Sequence, residues 1–399
     1  MFRNLWRKKL ILLWWWHLFL MAMLGLVAFS WLALAIDAGF GVRKIPSLYS
    51  VAPLKDANCP TVSILFAARD EEEKLPGALA TFLALDYPHY EVVAVDDRSE
   101  DSTAAILQAS AQKDPRLKVI RIDSLPAGWL GKPHALQRGY ENSSGEWLVL
   151  TDADVHFAPD VLRRAIALAE KSKWDHLPLL ADAKMFTVGE KIVMTFFAFA
   201  FVMATRPWSV SNPKSPAYVG VGAFQLIRRS TYEKMGTHRR LAMEVVDDVK
   251  IGKLVKEAGC RSGVGKAGPA VSVHWHAGVR NIIRGTEKNF FATASYSLWI
   301  AGAQLFSIFM AWIFPWLALP FVHGWARVFA IVAIVVPMIA QAGAAREFRV
   351  SLLYALTQPV GALIFFWMLV RSTVITLKNG GISWRGTFYP IEELRRGVV

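Results

Sequence analysis

The chain has 399 residues, a formal net charge of +13 with histidines neutral, a hydrophobic fraction of 54% and 16 tryptophans. That length admits a core domain plus a second part, and the apolar excess at the two ends excludes a purely soluble protein. The basic residues are dispersed beside apolar runs, which favours anionic lipid over nucleic acid, and two distant cysteines, Cys59 and Cys260, exclude a disulfide framework or a structural zinc.

In chain order, Leu10 to Ile36 carries no charge and is longer than the roughly 20 residues that cross a bilayer. It lacks a small-residue cleavage site, so 1–42 reads as a retained membrane segment with Trp14 to Trp16 near an interface. TVSILFAAR then reads as a buried strand, EEEKLPGALATFLAL as a helix and EVVAVDD as a second strand. STAAILQASAQ is a second helix, LKVIRI a third strand, KPHALQRGYENS a third helix and EWLVLTDAD a fourth strand. The alternation predicts a doubly wound, mostly parallel, Rossmann-like α/β domain over 43–292, with ligands beyond the carboxyl ends of its strands. Arg69, Asp96, Asp97, Asp152 and Asp154 fall at those ends.

Phe196 to Trp208 is too short an apolar run for a span and reads as part of an interfacial helix, 188–208, or a buried core helix; 278–292 is a second interfacial candidate. Trp299 to Val322, Arg327 to Ala345 and Leu353 to Leu377 read as three spans within 293–378, followed by a basic tail, 379–399. Arg3, Arg7, Lys8 and Lys9 before the first span, and Lys378, Arg385, Arg395 and Arg396 after the last, would face anionic lipid.

Five acidic or basic groupings and one His-Trp-His stretch stand out. Alternate residues of an extended segment point the same way, so Asp152 and Asp154 could share a Mg2+ or Mn2+ ion with phosphates; the plain alternative is a solvated turn. Adjacent Asp96 and Asp97 point to opposite faces, so one would reach a ribose or base and the other bond backbone. Glu244, Asp247 and Asp248 open a helix whose dipole explains one acid; Asp248, facing the cleft, could take a proton from an attacking hydroxyl. Lys132 sits at a helix start where amides and an ammonium can receive phosphate oxygens. His274, Trp275 and His276 show no third metal ligand and read as packing or ligand stacking. Arg280 and Arg284, one helical turn apart, share a face suited to a diphosphate or lipid headgroups.

TVSILFAARDEEEKL, VDDRSED, GWLGKPHALQRGY, GEWLVLTDADVHF and VVDDVKIG, in this order, resemble the family 2 inverting glycosyltransferases with the GT-A fold. The likeness covers Pro60 to Phe291 and is nearest to the membrane-anchored branch that includes hopanoid- and carotenoid-associated lipid transferases, which carry a GW-x-GK block and an IIRG-x-x-KN stretch. It implies a GT-A catalytic domain with transmembrane helices at both ends, a nucleotide-sugar donor, UDP-linked by preference, a lipid acceptor and a divalent metal. Ala68, Arg69, Glu71, Asp96, Asp97, Lys132, Asp152, Ala153 and Asp154 would contact the nucleotide sugar, with Asp152 and Asp154 also on the metal. Asp248, with Asp247 as the alternative, would be the base, and Trp275, Arg280 and Arg284 would face acceptor or diphosphate.

Asp70 replaces the usual Asn, Asp247-Asp248 replaces Glu-Asp, and NIIRG, Asn281 to Gly285, lacks the first residue and the Trp of the processive Gln/Arg-x-x-Arg-Trp motif. A processive polysaccharide synthase and a non-catalytic membrane scaffold are the competing readings. Four full spans would put both termini opposite the catalytic block, and the basic ends would make their side cytoplasmic. Sugar nucleotides are made in the cytoplasm, so the expectation is instead a bacterial inner-membrane protein with its catalytic domain facing the cytoplasm.

Overall fold

A computed structural model describes the backbone of residues 2–399 and the side chains of residues 14–399. Arg3, Arg7, Lys8 and Lys9, expected to face lipid, lie outside the described side chains.

Strands β1 (Val62–Ala68), β2 (Tyr90–Asp97), β3 (Leu117–Ile122) and β4 (Trp147–Asp152) are parallel, in the order β3-β2-β1-β4. Their near-continuous apolar runs follow from burial on both faces: Val62, Ile64, Leu65 and Phe66 are all buried, as are Val92, Val93, Ala94 and Val95. The helices Leu75–Leu83, Thr103–Ala111 and Gly131–Glu141 make the crossovers.

Beyond β4 the sheet stays mostly parallel, with two strands running against the rest. Strands β5 (Val155–Phe157), β6 (His176–Ala183), β7 (Gln225–Arg228) and β8 (Gly265–Val273) complete an eight-stranded sheet, β3-β2-β1-β4-β7-β6-β8-β5. β7 runs antiparallel to β4 and β6, and β5 antiparallel to β8, so the second half is mixed. The physical reason is the connection: β7 follows a long apolar helix and an irregular return, 206–224, in place of a crossover helix that would bring it in parallel.

Among the described residues, five helical segments are long and apolar enough to cross a membrane: Trp14–Lys44, Val188–Ser209, Leu298–Phe321, Gly324–Glu347 and Leu352–Asn379. The second interrupts the sheet domain, so apolar helices are not confined to the two ends. Three of the five form a bundle. Leu24 packs with Ala318, Val322, Ala326 and Ala330, the Trp31 indole donates to the Ala311 carbonyl, and His17 stacks on His323. One end of this bundle touches the domain, where Asp37 accepts from Arg206 and Trp208 and Glu347 pairs with Lys266 of β8. His17 and His323 lie about 30 Å along the helices from that end, at 1.5 Å per residue.

Of the other two apolar helices, the first has both ends on the domain and the second runs from the bundle to it. Val188–Thr205 starts where Glu190 accepts from the Gly278 amide, and the chain just beyond it is held by Lys256 on the carbonyls of Val210, Ser215 and Ala217. Its flanking strands β6 and β7 pair with each other, so the chain cannot change sides between them. Gln358–Asn379 begins beside Gln341, which bonds the Tyr354 carbonyl, and ends in a hairpin seated on the domain. The two pack on each other, with Gly361 against Phe196 and Leu369 and Met368 beside Val193 and Met194. The second also keeps an exposed apolar face, with Val360, Leu363 and Trp367 on it.

The stretch expected as a basic tail is folded. Strands β9 (Gly381–Trp384) and β10 (Thr387–Pro390) pair around Arg385 and Gly386, both left-handed, as a two-residue hairpin turn demands, and the helix Ile391–Arg396 follows. The C-terminal Val399 carbonyl accepts from Lys250, and its amide donates to Glu244. The C-terminus and the sheet domain therefore share one side.

That topology is checked with single cysteines in a background where Cys59 and Cys260 are serine. Lys113→Cys and Glu393→Cys should react with a membrane-impermeant maleimide from the same face of sealed vesicles, and His323→Cys only from the other. Labelling of positions 113 and 393 from opposite faces would overturn the arrangement.

Candidate functional site

The parallel register assembles the site. Ala68 at the end of β1 is opposite Asp96 of β2, and Ala67 is opposite Asp152 of β4, so the two acids flank the end of one strand. Beyond β1 the chain turns sharply through Asp70, in the left-handed region, which places Arg69 and Glu71 over the strand ends.

Asp96 and Asp97 are both buried and differ in their partners. Asp97 is held by the Arg98 fork at 2.7 and 3.0 Å. Gly131 leaves room for it, since a Cβ there would stand 2.3 Å from Asp97 Oδ2. Asp96 accepts from the Ser99 amide at 3.2 Å, while its Oδ2 is buried with no hydrogen-bond partner among the described residues. Arg98 also lines a cleft of about 410 Å³ bounded by Trp129, Thr387 and Tyr389.

Asp152 and Asp154 each bind a lysine. Lys132, second residue of the helix Gly131–Glu141, lies 2.6 Å from Asp152 Oδ1, and Lys74 lies 2.8 Å from Asp154 Oδ2. Burial alone would pull the Lys132 ammonium down, but Asp152, Asp247 and Asp248 outweigh it and hold it well above its ordinary range. Ala153, between the two acids, is buried. The partners that the sequence demanded for these carboxylates are, in this structure, two lysines.

Asp247 and Asp248 open the helix Asp247–Glu257. Asp248 accepts from the Gly222 amide at 3.0 Å and the Val249 amide at 2.8 Å. Burial, then repulsion from Asp247, still pushes its carboxyl up to about 6. Asp247, with His238 Nε2 at 3.4 Å, shifts the other way: burial would raise it, but Lys132 and His238 keep it below the ordinary range. The neighbouring acids therefore differ in proton affinity, and Asp248 is the one that binds a proton more readily.

Gly222 links the two acid pairs. A Cβ on it would stand 2.8 Å from Asp152 Oδ2 and 3.0 Å from Asp248 Oδ2, so both carboxylates border one bare pocket. Among the described residues no three His, Cys, Asp or Glu side chains converge as an all-protein metal cage would require. A Mg2+ or Mn2+ site needs less, one or two carboxylates with phosphates and water completing the shell. Asp152 Oδ2 and Asp154 Oδ1, left over by the lysines, fit that donor set.

Several site residues were not foreseen. The C-terminal hairpin lies over the strand ends: Arg385 donates to the Arg69 carbonyl at 2.8 Å and to the Glu71 carboxylate, Arg69 approaches Thr387, and the Gly131 amide donates to the Tyr389 hydroxyl. Arg385 is thus bound to a site residue, not facing lipid. Lys74, Lys288 and Arg385 all bear on His276; burial first, then these charges, push its ring down to about 4. A Gly pair beside alternating strand residues, GGISWRGTFYP, signals a hairpin, though not where it docks.

The second basic group is elsewhere. Arg280 and Arg284 are exposed on the helix Gly278–Gly285 and make no ion pair among the described residues; nothing joins them to the acids. The helix turns its apolar side, Val279, Ile282 and Ile283, to the flat helices, which leaves the arginines outward. Trp275 stacks on His276 and packs at a tilt against Phe197, and His274 turns to Glu190 and Phe186, so the two histidines share no ligand position.

Comparison with known proteins agrees with this architecture. The β-monoglucosyldiacylglycerol synthase of Trichormus variabilis is 36% identical over 116 residues, 29% of this chain and 24% of that protein. The undecaprenyl-phosphate 4-deoxy-4-formamido-L-arabinose transferase of Shewanella sediminis is 34% identical over 117 residues, 29% of this chain and 34% of that one. The matched stretch thus spans about a quarter to a third of these relatives. A mannosyltransferase from Pyrobaculum calidifontis, solved with GDP-Man and Mn2+, has the same fold, with a TM-score of 0.50 and 18% identity over 89% of this chain and 99% of that one. The model of glycosyl transferase family 21 matches residues 18–396, nearly the whole chain, where the sequence motifs had pointed to family 2. The chain belongs to glycosyl transferase family 21.

Proposed function

We propose that this protein is a membrane-bound inverting glycosyltransferase that moves one sugar from a nucleotide sugar to a hydroxyl of a lipid acceptor. The observation that carries the proposal is the convergence of Asp152, Asp154, Asp247 and Asp248 with Lys74 and Lys132 at the strand ends of a domain packed on apolar helices. The named relatives act on diacylglycerol-linked and undecaprenyl-phosphate-linked acceptors, which supports a lipid acceptor. The structural neighbour holds GDP-Man, so the UDP preference rests on the motifs alone. A cytoplasmic catalytic face in a bacterial inner membrane completes the reading, because the donor is made there.

Asp248 is the base. Its raised proton affinity suits a group that takes a proton from an acceptor hydroxyl near neutral pH and releases it afterwards. The acceptor oxygen attacks the anomeric carbon as the bond to the diphosphate breaks, and the anomeric configuration inverts. Asp152 and Asp154 would hold the divalent cation, Lys132 receives phosphate oxygens, and Asp96, whose Oδ2 has no hydrogen bond among the described residues, or Asp97, meets the nucleoside. The bound cation supplies Lewis-acid stabilisation of the charge that develops on the leaving diphosphate.

The test is transfer from radiolabelled UDP-sugars and GDP-mannose into organic-extractable lipid by membranes carrying the protein. Asp248→Asn should lower the label by about 10²–10⁴-fold, the range for a lost acid–base group; Asp154→Asn should lower it too, and chelation should abolish it until Mn2+ is restored. Wild-type transfer should fall as pH drops below about 6, where Asp248 protonates. Label that is confined to insoluble polymer, or unmoved by both substitutions, would overturn the proposal.

Stability should respond to Asp248 in the opposite sense. Its folded pKa lies above the ordinary 3.8, so the stability it contributes is present at low pH and lost as pH rises through about 6. Asp248→Asn should therefore stabilise the detergent-solubilised protein at pH 7.5 by on the order of 1–3 kcal/mol, and by less at pH 5. Equal thermal midpoints for variant and wild type at pH 7.5 would contradict a buried charge there.

A further inference from the structure

Lys288 has no place in the roles above, yet its surroundings are unusual for a lysine. It is the second residue of the helix Glu287–Thr293, mostly buried, with its ammonium 3.9 Å from the centroid of the Trp384 ring and donating to Asn289 Oδ1 at 2.9 Å. It makes no ion pair among the described residues, although Glu287 beside it pairs with Arg371. The charges that face it are those of the candidate site: Lys132 against it, Asp247, Asp248 and Asp152 for it.

Burying an ammonium without a carboxylate is costly, and nature normally relieves it by pairing or by neutralisation. Here an aromatic face and one neutral acceptor occupy two of the directions available to three N–H donors. The third is open, in a site where four cations, Lys74, Lys132, Lys288 and Arg385, gather around the strand-end acids. An anion bearing several oxygens is the partner this arrangement lacks.

We infer that Lys288, seated on the Trp384 indole of the C-terminal hairpin, binds the diphosphate of the donor. The inference rests on the nucleotide-sugar reading above and deepens it. Trp384 acts as a positioning residue: its ring fixes where the ammonium points, and so makes the hairpin part of the diphosphate site. Burial, then the Lys132 charge, draw the Lys288 ammonium down to about 8, the mark of a cation short of anionic company.

The test compares binding of UDP and GDP with that of uridine and guanosine, by calorimetry on the full-length protein in detergent with Mn2+. Wild type should bind one nucleoside diphosphate at least ten-fold more tightly than its nucleoside. Lys288→Met keeps an apolar stem on the indole, and should reduce that preference at least ten-fold while leaving nucleoside affinity unchanged. Lys288→Arg should restore part of it, Trp384→Phe should retain most, and Trp384→Ala should lose several-fold. A preference unchanged in Lys288→Met, or equal losses for diphosphate and nucleoside, would overturn the role of Lys288 while leaving the donor reading intact. Wild type without any preference for a diphosphate would overturn both.

Discussion

The contact between Lys132 and Asp152 governs the rest of the site. Parallel pairing places Asp152 and Asp96 on either side of β1, and the helix start that carries Lys132 has Gly131 pressed against Asp97, so one helix start touches two strand ends. Asp247 and Asp248 then arrive on a separate helix whose first turn faces the same lysine. Remove that positive charge and three acids lie together with little to offset their repulsion. Gathering so many carboxylates in a partly buried place is feasible only because cations are gathered with them. The same balance sets Asp247 and Asp248 apart: Asp247 takes the benefit of Lys132 and His238, and Asp248 is left with the burial cost and a charged neighbour.

A second constraint ties this charge cluster to the apolar part of the chain. The last apolar helix, Gln358–Asn379, runs directly into the hairpin through Gly380, and the hairpin reaches Arg69, Glu71 and Gly131. Its other face carries Phe365, packed on Phe290 one residue after Asn289, while Ser372 accepts no slack: it donates to the Glu287 carbonyl and receives the Phe291 amide. The helix that bears Lys288 is thus clamped between the flat helices and the hairpin. Any shift of the apolar helices relative to the sheet would be transmitted to Trp384 and Arg385 at the strand ends.

How far this could be read from the sequence follows from the range of each signal. The four parallel strands and their terminal acids were legible because burial on both faces writes a continuous apolar run, and the residue that ends such a run is at the sheet edge by construction. The opening of the Asp247 helix was legible for the same local reason. What was not legible depends on partners far along the chain. Lys74 meets an acid 80 residues away and Arg385 one 314 residues away, and no local pattern announces either. For the helices Val188–Thr205 and Gln358–Asn379, hydropathy reports how apolar each segment is, not which of its faces protein covers. Only the pairing of β6 with β7, and the seating of the C-terminus on Lys250, decide the side.

On the proposed reading these features act together. The diphosphate would meet Lys74 and Lys132, whose ammonium groups lie on Asp154 Oδ2 and Asp152 Oδ1, while the remaining Asp152 Oδ2 and Asp154 Oδ1 would hold the cation. The acceptor needs a different route. The flat helices Val188–Thr205 and Gln358–Asn379 lie between the bundle and the sheet, which brings an apolar surface to the edge of a highly charged cleft. A lipid whose hydroxyl must reach Asp248 can then keep its chains in apolar surroundings while only its head enters the polar site.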